Sequence, residues 1–129
     1  MSGISLPLID RSAPLYFKGL ALSVPLLIAG QLFLAGFAIF SDGIAWEWHK
    51  TMGGVTGLPI LLLWCLALWQ PSLRPYRMAT GIVFLLYVFQ VVWLKAGEAL
   101  SSGVLQALHP ANAVLLTAAS VLLARRTLT

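Results

Sequence analysis

GLALSVPLLIAGQLFLAGFAIF, residues 19–40, carries no charged side chain along its whole length. As an α-helix rising 1.5 Å per residue it covers about 33 Å, enough for a hydrocarbon core of about 30 Å. It runs into the turn Ser41-Asp42-Gly43. A second helix is expected from Ile44, capped by Ser41 or Asp42, to Trp69, where Gln70-Pro71 stops it. The loop PSLRPYR that follows is short and proline-bearing. A third span is expected over residues 76–94, a polar connection over 95–103, and a fourth span over 104–124, closed by Arg125 and Arg126.

Composition agrees with a membrane solvent. Hydrophobic residues make up 60% of the 129 and charged residues 9%, against about a quarter charged in soluble domains. The net charge of +4 does not indicate nucleic acid, because the basic residues form neither a run nor a helical stripe. They read as topology signals. Arg11, Lys18, Arg74, Arg77, Arg125 and Arg126 fall on one side of the four spans, and Lys50 and Lys95 on the other. By the positive-inside bias both termini are then cytoplasmic. Trp46, Trp48 and Trp93 sit at the outer interface, and Tyr16, Trp69 and Tyr76 at the inner one.

The first apolar run leads directly into further spans, so no cleavable signal is expected. The single cysteine, Cys65, has a packing role by default. Short connections make neighbouring helices antiparallel. The expected fold is therefore one all-α membrane domain over residues 1–129, a four-helix bundle running up-down-up-down.

The second half of the chain repeats the first at an offset of 60 residues. SDGIAWEWHK, residues 41–50, aligns with SSGVLQALHP, residues 101–110, so that serine, glycine and histidine coincide. Gln31 and Gln90 lie upstream in apolar runs at similar distances from their histidines. Each copy would be a helical hairpin, with a pseudo-two-fold axis along the membrane normal relating the two. His49 and His109 then fall at similar depth on the second and fourth helices, facing one axis. Convergence is the other reading: helix starts favour serine, aspartate and glycine, and the histidines would then be interface residues without a shared ligand.

Ionisable groups inside spans are costly and usually functional. Two imidazoles facing each other from opposite helices suit a flat metal macrocycle, with one nitrogen on each side of the iron. His49 is followed at four-residue steps by Gly53 and Gly57, and His109 by Ala113 and Thr117, which keeps the faces below both ligands small. Gly53-xxx-Gly57 is equally a helix-packing motif. A lone zinc or copper site needs more ligands than two histidines, which leaves Glu47, Asp42, Glu98 or water to complete the set. Haem, most simply of b type, is the more economical expectation. Lys50 and Lys95 lie where its propionates would emerge, or are snorkelling interface lysines. Gln31 and Gln90 can bond to one another, to a cofactor or quinone, or serve as interhelical glue. Pro110, directly after His109, frees a carbonyl one turn earlier.

QLFLAG from Gln31, EWHK from Glu47 and LHPANA from Leu108 resemble the short patterns of one half of a haem A synthase, a family built from two four-helix bundles with a histidine pair on the second and fourth helices of each. The same stretches resemble an uncharacterised family of small bacterial four-span proteins over most of the chain. The resemblance implies His49 and His109 as haem ligands, a bacterial inner (plasma) membrane, and a possible homodimer that rebuilds an eight-helix form. The catalytic acid of haem A synthase lies three residues before its histidine, whereas Glu47 lies two before His49, and the family's extracellular cysteine pair is absent.

Three functions follow as expectations. The first is a bis-histidine, b-type cytochrome-like protein that transfers electrons, with a quinone or redox protein as partner, or carries haem. The second is a non-enzymatic assembly subunit of a membrane complex. The third is a haem-modifying enzyme using Glu47.

Overall fold

The computed structural model describes residues 13–129; Arg11, counted above with the basic side, lies outside them. Four helices follow one another: α1 (Leu15–Phe40), α2 (Ala45–Trp69), α3 (Arg77–Ala99) and α4 (Gly103–Leu128), with a 3-10 turn at Pro71–Tyr76 between α2 and α3. All four are long and apolar enough to cross a membrane, and no strand occurs among the described residues. α1 packs on α2 and α4, and α3 on the same two. This places α2 and α4 across a diagonal of the bundle. The chain is an all-α, multi-pass membrane bundle. Leu26, Phe33, Phe40 and Val114 are among the large apolar side chains left exposed, as expected of helices whose outer faces meet lipid tails.

Packing is uneven along the bundle. Phe17, Ala21, Val24, Ile60, Leu63, Ala67, Leu73, Tyr76, Val83, Leu123 and Ala124 form a tight core in the half that holds the 3-10 turn. In the other half, where the α1–α2 and α3–α4 turns lie, few side chains are buried. That end, which carries both histidines, is the hollow one.

Local chemistry fixes the helix ends. Asp42 Oδ1 accepts from the Ile44 amide at 3.0 Å in the turn ahead of α2, but the N-cap position is Ile44 and carries no side-chain cap, so neither Ser41 nor Asp42 caps the helix as expected. Ser102 Oγ accepts from the Leu105 amide at 3.4 Å. At the tight end, Arg77 donates through Nε to the Ala67 carbonyl at 2.8 Å and through its terminal nitrogen to that of Leu68. These are among the last carbonyls of α2, which have no partner within the helix.

Several expected boundaries change: α1 begins at Leu15 and not at Gly19, and α4 continues through Arg125 and Arg126 to Leu128. The stretch 71–76 is a 3-10 turn and not an irregular loop. Helix α3 continues through residues 95–99 instead of ending at Leu94. The polar residues there sit on helical turns, since Lys95 pairs with Glu98 at an i,i+3 spacing of 2.9 Å. Only Leu100, Ser101 and Ser102 remain to reverse the chain. Gly97 makes that reversal possible: a Cβ there would lie 2.6 Å from Gln106 Cγ and 2.8 Å from the Gln106 amide nitrogen. Ser101 takes a positive φ of 50°, a left-handed conformation that non-glycine residues adopt at some cost.

Candidate cofactor site

His49 lies about one turn inside α2 and His109 nearly two turns inside α4. Their rings meet across the bundle diagonal with centroids 6.3 Å apart and planes at 70°. Each is oriented by the preceding helix of its own hairpin. His49 Nδ1 donates to the backbone carbonyl of Gln31 at 3.0 Å, and His109 Nδ1 donates to that of Gln90 at 2.8 Å. A carbonyl can only accept, so both Nδ1 atoms carry a proton, and in the neutral imidazole Nε2 is then the nitrogen that keeps a lone pair. The repeat that aligned the two histidines therefore also repeats their hydrogen bond.

The glutamine side chains differ between the halves. Gln31 Nε2 donates to the carbonyl of His49 at 3.0 Å, closing a two-bond clasp. Gln90 Oε1 instead accepts from Asn112 Nδ2 at 2.6 Å, and the same Asn112 nitrogen donates to the Leu86 carbonyl at 2.8 Å. Gln31 and Gln90 thus act as glue within their own hairpins and do not bond to each other. Asn112 is 7% exposed. It had no role in the sequence reading, although a strong polar residue three positions after a histidine, inside an apolar span, was the available signal. Trp46 adds an edge contact on His49, centroids 5.6 Å apart.

Both rings border a cavity of about 450 Å³ with predominantly apolar walls, within the range of small-molecule sites. All four helices contribute, from the histidine end down to Ile28, Thr56, Tyr87 and Leu116. Gly53, Ala113, Lys50 and Lys95 line it as well. Gly57 does not. The space its missing side chain leaves is filled by Tyr87, whose ring and hydroxyl a Cβ would overlap, and Tyr87 Oη donates to the Gly53 carbonyl at 3.1 Å. Of the two glycines, Gly53 borders the cavity and Gly57 packs two helices together.

At the cavity mouth Lys50 pairs with Glu47 at 2.8 Å and Lys95 with Glu98 at 2.9 Å, all four side chains largely exposed. Glu47 thus belongs to the surface pair. No cluster of three His, Cys, Asp or Glu suited to a metal ion occurs among the described residues, and every buried side-chain nitrogen and oxygen among them has a partner.

Residues 31–97, just over half of the chain, match DUF6220, a family of unknown function. The chain belongs to this family. In this DUF6220 member the matched segment opens on Gln31, includes His49 and Tyr87, and closes on Gly97; His109 and Asn112 lie beyond it. No curated protein and no solved structure matches the chain.

Proposed function

We propose that this protein binds one haem of b type between His49 and His109 and serves electron transfer or haem carriage in the membrane. The observation that carries the reading is the duplicated Nδ1-to-carbonyl bond, which leaves two Nε2 lone pairs as the donor set at one cavity. Metal-bound histidines commonly give their other N–H to a carbonyl or carboxylate, which fixes tautomer and orientation. Two imidazoles that share one metal through nitrogen bonds of about 2 Å need ring centres no further apart than roughly 6 Å. The observed separation is 6.3 Å. A two-coordinate donor set without a third ligand is inadequate for a lone zinc ion but complete for an iron already held by a macrocycle.

Within this reading His49 and His109 hold the iron. Gly53 and Ala113 keep the cavity wall low beside them, and the apolar lining excludes water. Lys50 and Lys95, at the mouth, would hold the propionates. Haem held by these two histidines would supply one-electron transfer. Glu47, engaged with Lys50 on the surface, receives no catalytic role. In this reading the histidine end faces outward from a bacterial plasma membrane and the described chain ends are cytoplasmic, which the excess of Lys and Arg at the opposite end supports.

Absorption spectra of the detergent-purified protein, oxidised and reduced, test the proposal. A Soret band with the sharp bands of low-spin reduced haem is expected. No Soret band after supplementation with haem overturns the reading.

A further inference from the structure

Each hairpin is tied together internally, by Gln31 with His49 in one and by Gln90, Asn112 and His109 in the other. Side-chain hydrogen bonds between the hairpins are fewer. Among the described residues they come from Arg77, at the tight end, and from Tyr87, in the interior. Tyr87 is therefore the interior polar link between the half that orients His49 and the half that orients His109.

Its position is what gives the link leverage. Gly53 lies one turn beyond His49 on α2, and Tyr87 lies about one turn before Gln90 on α3. The path from one imidazole to the other runs along one turn of α2, across the Gly53 carbonyl and Tyr87 hydroxyl, along one turn of α3, and across the Gln90 carbonyl to His109 Nδ1. The phenol ring is seated in the notch at Gly57. A knob in a notch resists sliding of one helix along another, and the hydroxyl bond adds a second constraint at the same level.

We infer that Tyr87 is a positioning residue, which sets the depth of His49 relative to His109 by locking α2 against α3. Its consequence for a ligated iron rests on the haem reading; the register itself does not. Tyr87→Phe removes the bond and keeps the ring. Gly57→Ala fills the notch and displaces the ring.

The register is measured without haem, as the distance between spin labels at W48C and V104C in a C65A background. Both Tyr87→Phe and Gly57→Ala are expected to shift or broaden the distance distribution, and Gly57→Ala is expected to cost nothing further once Tyr87→Leu has emptied the notch. With haem present, Tyr87→Phe is expected to shift the reduction potential and the low-spin resonance signature while the haem stays bound, a change that a loss of general stability does not produce. Unchanged distances in Tyr87→Phe overturn the inference, even where Gly57→Ala fails to accumulate. A parent protein that takes up no haem overturns the haem reading alone, because the distance arm still decides the role of Tyr87.

Discussion

His49 and His109 stand with ring centroids 6.3 Å apart across the bundle, each turned by a glutamine carbonyl on the helix before it. Neither ring has its orientation set by the other half of the protein. Replacing either by alanine should therefore leave the opposite imidazole in place and remove one ligand of two. His49→Ala and His109→Ala are each expected to abolish the low-spin spectrum of the haem-supplemented protein while helical circular dichroism is retained. The stability cost should be about 1 kcal/mol, that of one hydrogen bond and one carbonyl left without its partner.

Asn112 serves His109 indirectly. It bonds to the Leu86 carbonyl and the Gln90 side chain at once, so Asn112→Leu should strip two interhelical bonds from the second hairpin. At roughly 0.6–1.7 kcal/mol for each such bond in a membrane bundle, a loss of about 1–3 kcal/mol is expected in detergent unfolding. Asn112→Asp should cost more, because a carboxylate cannot donate to either oxygen. Equal stability of both variants with the parent would show that the two bonds carry no net energy.

Much of the architecture was legible because the bilayer imposes a length on every apolar run: residues 19–40 announce a span by themselves. The pairing of His49 with His109 was legible because SDGIAWEWHK and SSGVLQALHP repeat, and a repeat transfers position from one helix to another. The end of α3 was obscured since Lys95 and Glu98 read as loop polarity, although their i,i+3 spacing suits a helix. Gly57 could be read either as room for a ring or as a packing notch. Only the rotation of α3 against α2, which no pattern within one helix encodes, brings Tyr87 onto it. Asn112 was visible as a polar residue in a span, but its partners on α3 depend on the same tertiary rotation.

Lys50 and Lys95 are tied to Glu47 and Glu98 in exposed pairs, and exposed pairs of this kind contribute at most about 1 kcal/mol. Both lysines are therefore free to change partner at little cost. Lys50→Gln with Lys95→Gln should leave the unfolding midpoint nearly unchanged and lower haem affinity several-fold. Haem dimethyl ester, which has no free carboxylates, should bind the parent and the double variant equally well. A double variant that loses affinity equally for haem and its ester would place the lysines outside propionate recognition.

At the histidine end α3 comes close to α4 at Gly97, where a methyl group would press on the amide nitrogen of Gln106 at 2.8 Å. Backbone cannot move aside as a flexible side chain can, so Gly97→Ala must push the start of α4 away from α3. Overpacking of this kind costs about 1–3 kcal/mol. Gly103→Ala, only a few residues further along the same turn, meets open space and should be neutral or stabilising through the better helix propensity of alanine. The displacement caused by Gly97→Ala acts on the first turns of α4, where His109 sits, so the variant should also weaken the His109 bond to the Gln90 carbonyl and loosen haem. Thermal unfolding and haem titration of the two alanine variants side by side check this contrast; equal behaviour of the pair would mean that the α3–α4 turn relaxes freely and does not hold His109 in place.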